Sequence, residues 1–216
     1  MSELFSVKGK NVLITGCPRS GTHYIATVLR KLGLDVGHEC IRHDGVVDCR
    51  ATFGWYDNYE FEHVFHQVRN PLVVISSLSV QGNLLGAFVP PKILEFIAKE
   101  KKIESYRNLT ARQANMHLWL YSTEMAEEMA EWTYRIESIS SAFVKICDIL
   151  GIEYNDETIK IMKSVPPDLT TFVNFQGYGP ISFDILQRSD EELAEKVKDR
   201  AISLGYKLTA NKNGFF

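Results

Sequence analysis

A chain of 216 residues, 45% of them hydrophobic, is long enough to bury a full core and suits one ordinary globular domain spanning 1–216. Its formal net charge of −3 argues against a nucleic-acid-coating or membrane-surface protein, which needs a basic field. The apolar runs all fall short of the roughly 18 residues of a membrane span, and the N-terminus, Met1 to Phe5, lacks the layout of a signal peptide. Four cysteines (Cys17, Cys40, Cys49 and Cys147) do not make a disulfide framework in a chain this long, so the expectation is a reduced, cytoplasmic protein.

The run from Asn11 to Gly16 is short, rich in β-branched residues and closed by glycine, which reads as a buried strand. After the tight loop Cys17 to Gly21, apolar residues recur at Ile25, Val28, Leu29 and Leu32 with helical spacing, and Gly33 stands where a C-terminal cap belongs. A second buried strand is expected at His63–Val68, followed by Arg69-Asn70-Pro71 and a helix over Leu72–Leu78. Pro90-Pro91 opens a further helix through Lys99, and a long one spans Thr110–Glu131. A short strand at Trp132–Ile136 leads into a helix capped by Ser138, with Ile139, Phe143, Ile146, Cys147 and Leu150 turned inward and Gly151 at its end. Residues 164–188, with three prolines and two glycines, read as an irregular loop. The final helix begins with a Ser189-x-x-Glu192 capping box and turns Leu193, Val197 and Leu204 inward. Strands alternating with helices predict an α/β domain with a central parallel sheet flanked by helices.

Gly16-Cys-Pro-Arg-Ser-Gly21-Thr22-His23 has the G-x-x-x-x-G spacing of a phosphate-cradling loop between strand and helix. Glycine lets such a backbone curl until successive N–H groups face an anion at the positive end of the helix. A Walker A loop would continue with Lys and then Ser or Thr, but Thr22 and His23 hold those places. The phosphate-reaching lysine and the Mg²⁺-ligating hydroxyl are missing from their slots, and a cation stands earlier, at Arg19. No acidic residue is obvious on a predicted core strand. The loop is built for an anion whose charge is met by arginine.

Pro18-Arg19-Ser20-Gly21-Thr22 after a strand resembles the 5′-phosphosulfate loop of the sulfotransferase family, usually Pro-Lys/Arg-Ser/Thr-Gly-Thr. The resemblance implies a P-loop-like fold and 3′-phosphoadenosine 5′-phosphosulfate (PAPS) as donor, with adenosine 3′,5′-bisphosphate (PAP) as product. It places Pro18, Arg19, Ser20, Gly21, Thr22 and His23 at the phosphosulfate and Tyr24 against the adenine. His23 departs from the family's more usual second threonine. Val68 to Ser77 is similar to the family's 3′-phosphate motif, which gives that phosphate to Arg69 and Ser77. Arginine offers two parallel N–H bonds and serine a third. Tyr134 to Ile139 resembles a later core-strand stretch, Tyr-x-Glu-Asp-Leu. The family's basic C-terminal loop, Arg-Lys-Gly, is absent, and region 171–188 stands in its place.

Sulfuryl transfer needs a group that takes the acceptor's proton and stabilisation of the leaving oxygen. Gly37 to His43 follows the first helix and should return towards the ligand-binding edge of the sheet. By resemblance to the tyrosylprotein sulfotransferases, the basic glutamate falls on Glu39, with His43 and His38 as alternatives and Arg19 as electrophilic partner. His63 and His66 lie in a predicted strand and are expected to pack there. The expected activity is in-line, metal-independent transfer to a small-molecule, carbohydrate or peptide acceptor. A P-loop nucleotide or small-molecule kinase, and a nucleotide-binding module without transfer activity, are the alternatives. His38, Cys40, His43 and Cys49 match no usual zinc spacing. The aromatics Phe53, Trp55, Tyr56, Tyr59 and Phe61 read as turn and core packing, with an acceptor wall as the second reading.

Overall fold

The β-branched run after Asn11 forms the central strand of a five-stranded, wholly parallel sheet. The protein is seen in a computed structural model that describes residues 5–6, 9–80, 95, 98–99, 109–166 and 181–208. In chain order the elements are β1 (Phe5–Ser6), β2 (Val12–Thr15), α1 (Thr22–Lys31), β3 (Val36–His38), β4 (Gly45–Val47), β5 (Tyr59–Glu60), β6 (His63–Val68), α2 (Pro71–Val80), α3 (Ala111–Met129), β7 (Trp132–Arg135), α4 (Ile139–Leu150), α5 (Asp156–Ser164), α6 (Phe183–Ser189) and α7 (Glu191–Ser203). The chain divides into two compact units, Met1–Arg69 with Met125–Asn174, and Asn70–Glu124 with Phe175–Phe216.

In the first unit the strand order is β3-β4-β2-β6-β7. Side chains alternate across each strand. Val12, Ile14, Val36, Val47, Phe65 and Tyr134 therefore pack with α1, α4 and α5 in one cluster, while Leu13, Val46 and Val64 pack with Ala51, Tyr56 and Phe61 in another. From β2 the chain leaves towards β3 on one side, and β6 pairs with β2 on the other. The turn after β2 thus sits at a topological switch point, at the carboxyl ends of the strands, where α/β sheets receive ligands.

The second unit is helical among its described residues. Phe183 and Leu186 of α6 are buried, as are Leu193 and Val197 of α7. Polar side chains tie this unit together: Gln113 Nε2 donates to Asp190 Oδ2 (3.0 Å), Arg200 Nη2 to Thr123 O (2.9 Å) and Asn115 Nδ2 to Ser79 Oγ (3.1 Å).

Several expected elements differ from those observed. The stretch read as irregular loop contains α6, because the proline and glycine signals end at Pro180 and Phe183 and Leu186 then recur one helical turn apart. Asp190, not Ser189, caps α7, accepting from Leu193 N–H at 3.0 Å, while Ser189 closes the preceding helix. Residues 136–138 form a 3₁₀ turn before α4, and Ser138 makes no side-chain cap. The expected start of a helix at Pro90-Pro91 and the loop residues 167–180 lie outside the described residues. No described helix is long and apolar enough to cross a membrane. None of the four cysteines is joined in a disulfide.

Candidate functional site

The loop between β2 and α1 takes its shape from close backbone approach. A Cβ on Gly16 would fall 2.1 Å from Gln67 O on β6, so no side chain fits there. Gly21 has φ +95°, and a Cβ would press on Ile136 at 3.3 Å. Arg19 is also left-handed, at φ +73°, a conformation that costs an ordinary residue roughly 1–2 kcal/mol. Gln67, wholly buried, braces the loop: its Nε2 donates to Ser20 O (2.8 Å) and its Oε1 accepts from Tyr134 O–H (2.8 Å).

The first α1 bond runs from Ile25 N–H to Gly21 O (3.3 Å), so the N–H groups of Thr22, His23 and Tyr24 precede the helical ladder. No side chain caps this end, and its first turn holds no acid. By contrast, α5 and α7 are capped by Asn155 and Asp190 and carry acids in their first turns. Ser20 is 1% exposed and its Oγ has no hydrogen-bond partner; His23 Nδ1 is likewise buried without one. An orphaned buried polar atom costs about 1–3 kcal/mol. Such groups at a helix N-terminus suit an anion with several acceptor oxygens. Arg69, directly after β6, reaches the same loop, and its Nη1 donates to Arg19 O at 3.4 Å. Ser77 lies on α2, in the second unit, half-buried.

The remaining expected residues are placed unequally. His38 ends β3 in register with Val47, itself level with Ile14, and is therefore at the loop's end of the sheet. Its Nε2 shares a hydrogen bond with Thr22 Oγ1 (3.2 Å), and its ring meets His23 edge-on at 5.1 Å. Burial, foremost, lowers the His38 imidazole below its ordinary value, against the opposing pull of Glu39. Glu39 follows, exposed and left-handed at φ +57°. His43 is elsewhere. It is 61% exposed and bonded to Asp44, which also accepts from Lys10 N–H ahead of β2, at the opposite end of the strands from the loop. Tyr24 is 7% exposed, packs in the core and donates to Met162 O of α5 (3.5 Å), so its ring is held within the fold. His63 and His66 stay in β6, bonded to Glu131 (3.2 Å) and Thr133 (3.1 Å).

An acid does stand at a core strand end, contrary to the sequence reading. Asp48 is fully buried directly after β4, its N–H on Ile14 O (2.9 Å). Its oxygens are taken by Arg50, with contacts of 2.6–3.0 Å, and by Tyr56 O–H at 2.5 Å. Arg50 holds its proton more tightly for its bonds to Asp48, and burial followed by the Asp48 bond raises the Tyr56 phenol. Among the described residues no group of three His, Cys, Asp or Glu side chains could hold a metal ion.

Two solved sulfotransferases are similar to this chain. Mouse sulfotransferase SULT7A1, complexed with PAP, matches at 19% identity and a TM-score of 0.43, over 75% of this chain; this chain spans 66% of that protein's length, just under two thirds. The sulfotransferase of Alicyclobacillus acidocaldarius matches at 12% identity and a TM-score of 0.48, over 93% of this chain and 97% of that one. No protein-family model and no curated protein matches the chain.

Sequence reasoning missed Gln67, Asp48 and Arg50. The signal for Gln67 was a polar residue within an otherwise buried strand, since a fully buried polar side chain must have partners. Asp48 and Arg50 carried no comparable mark, because β4 is only three residues long.

Proposed function

We propose that the chain is a sulfotransferase that binds PAPS in the β2–α1 loop and transfers its sulfuryl group to a hydroxyl or amine. The observation that carries this reading is the loop itself. An uncapped helix start and a buried Ser20 hydroxyl without a partner stand in a loop that carries Arg19 and is reached by Arg69, while Thr22 and His23 fill the Walker A places of lysine and the metal-binding hydroxyl. The donor, when bound, supplies the sulfuryl group and leaves as PAP.

Ser20 Oγ and the N–H groups of Thr22, His23 and Tyr24 hold the 5′ end, and Arg19 meets the charge that grows on the leaving oxygen. Pro18 and Gly21 fix the curl. Arg69 takes the 3′-phosphate; the share of Ser77 rests on the sequence motif alone. Tyr24 and His43 drop out of this account, the first buried in the core and the second at the far end of the sheet. His38 is engaged with Thr22, so the exposed Glu39 is the group that accepts the acceptor's proton. A small-molecule, carbohydrate or peptide acceptor and a cytoplasmic location complete the reading.

Glu39→Gln is expected to lower transfer by about 10²–10⁴-fold, the usual worth of a general base, while PAP affinity stays unchanged. Equal transfer by the variant would remove Glu39 from the mechanism. A kinase is the second reading, since Asp48 stands near the place of a metal-binding acid. Its carboxylate is already saturated by Arg50 and Tyr56, which opposes a role in holding Mg²⁺.

A further inference from the structure

The Arg50 guanidinium has a task beyond neutralising Asp48. Nη2 directs one N–H to Asp48 Oδ2 (2.6 Å) and the other to Glu39 O (2.5 Å), in the turn that leaves β3. Nε binds Asp48 as well, at 2.9 and 3.0 Å from its two oxygens, and Asp48 is itself fixed by Tyr56 O–H and by the Arg50 N–H (2.8 Å). The guanidinium is therefore anchored before it reaches Glu39. Over its face lies Trp55, with the ring centroid 4.2 Å from Cζ. This indole is 53% exposed, whereas its neighbours Tyr56, Tyr59 and Phe61 pack against one another.

Glu39 needs such a restraint. It is a non-glycine residue at φ +57°, in an exposed turn. Its N–H donates to Val47 O (3.2 Å) and its C=O accepts from Arg50, so the peptide groups on either side of its Cα are both held. Fixing them fixes the direction in which the side chain leaves the backbone. We infer that Arg50 is a positioning residue for Glu39, held along its edge by Asp48 and covered on one face by Trp55, and that it keeps the proton acceptor in its left-handed conformation. Lysine is not an equivalent replacement, because its single ammonium has no counterpart of the Nε–H that anchors the guanidinium on Asp48 while Nη2 reaches Glu39. The functional half of this inference rests on Glu39 being the base; the conformational half does not.

The test compares Arg50→Lys, Trp55→Ala and Trp55→Phe with the native chain. Three readouts apply: amide exchange at Glu39, the rate of sulfate release from PAPS, and the dissociation constant of PAP. Arg50→Lys should speed Glu39 exchange and slow PAPS turnover by about tenfold or more, the scale of one charge-assisted hydrogen bond, with PAP affinity within about twofold of native. Trp55→Ala should move both in the same direction by less, and Trp55→Phe, which keeps a ring over the guanidinium, should restore most of the loss. Native exchange and turnover in Arg50→Lys would overturn the inference. So would exchange that quickens equally through β2, α1 and β6 with loss of PAP binding, the mark of a merely structural residue. A native chain that does not bind PAP would refute the sulfotransferase reading instead, while Glu39 exchange would still decide the clamp.

Discussion

Gln67 shows how much of the β2–α1 loop can depend on a residue outside it. Its amide donates to Ser20 O and accepts from Tyr134, all within a buried patch. Gln67→Leu should leave Tyr134 O–H and Ser20 O without partners and cost about 1–3 kcal/mol in a denaturant titration, with weakened PAP binding. His38 supplies the pH dependence. Its imidazole titrates below the ordinary 6.5 because it is buried, so between that depressed value and about 6.5 the unfolded chain binds more protons than the folded one. Stability therefore rises with pH across this window and is lost as the pH falls through it. The thermal midpoint of the native protein should climb as the pH rises towards about 6.5, and His38→Asn should flatten that climb. An identical slope in the variant would exclude His38 as its source.

The elements were legible in the sequence where they were long or strongly patterned. The run His63–Val68 is six consecutive strand residues, and α1 and α4 show apolar positions at helical spacing with Gly33 and Gly151 just past their ends. β3 and β4, at three residues each, are too short for any period to show. α5 went unread although Asn155 opens it with a complete capping box, because the helix has few apolar residues to announce it. The start of α7 was displaced by one residue: Ser189-x-x-Glu192 fits the capping pattern, but Asp190 makes the bond, and the Leu193 N–H and Gln113 bonds hold its carboxyl below the usual range. Asp190→Ala should cost about 1 kcal/mol by thermal unfolding, and Ser189→Ala much less. Equal losses would return the cap to Ser189.

Across the whole molecule, a near-neutral chain gathers the uncapped start of α1, the buried Ser20 hydroxyl and Arg69 at the carboxyl ends of its strands. The loop motif was visible because its chemistry is local: Pro18 to Thr22 is contiguous, and its glycines answer constraints set within a few residues. The placement of Glu39, His38 and His43 was less visible, since they lie within six positions and only the return of the chain from β3 to β4 separates the loop's end of the strands from the far one. Arg69 shows the same dependence on folding. Its contact with Arg19 joins residues fifty positions apart through the pairing of β2 with β6.

The thermal unfolding midpoint with PAP, AMP, and ATP plus Mg²⁺ added separately tests the central claim most directly. At a hundredfold excess over its dissociation constant, a ligand specific for the folded state adds about 2.7 kcal/mol. PAP should raise the midpoint, AMP should raise it far less, and Arg69→Ala should abolish the PAP shift. Stabilisation by ATP plus Mg²⁺ with PAP silent would contradict the account and favour a kinase.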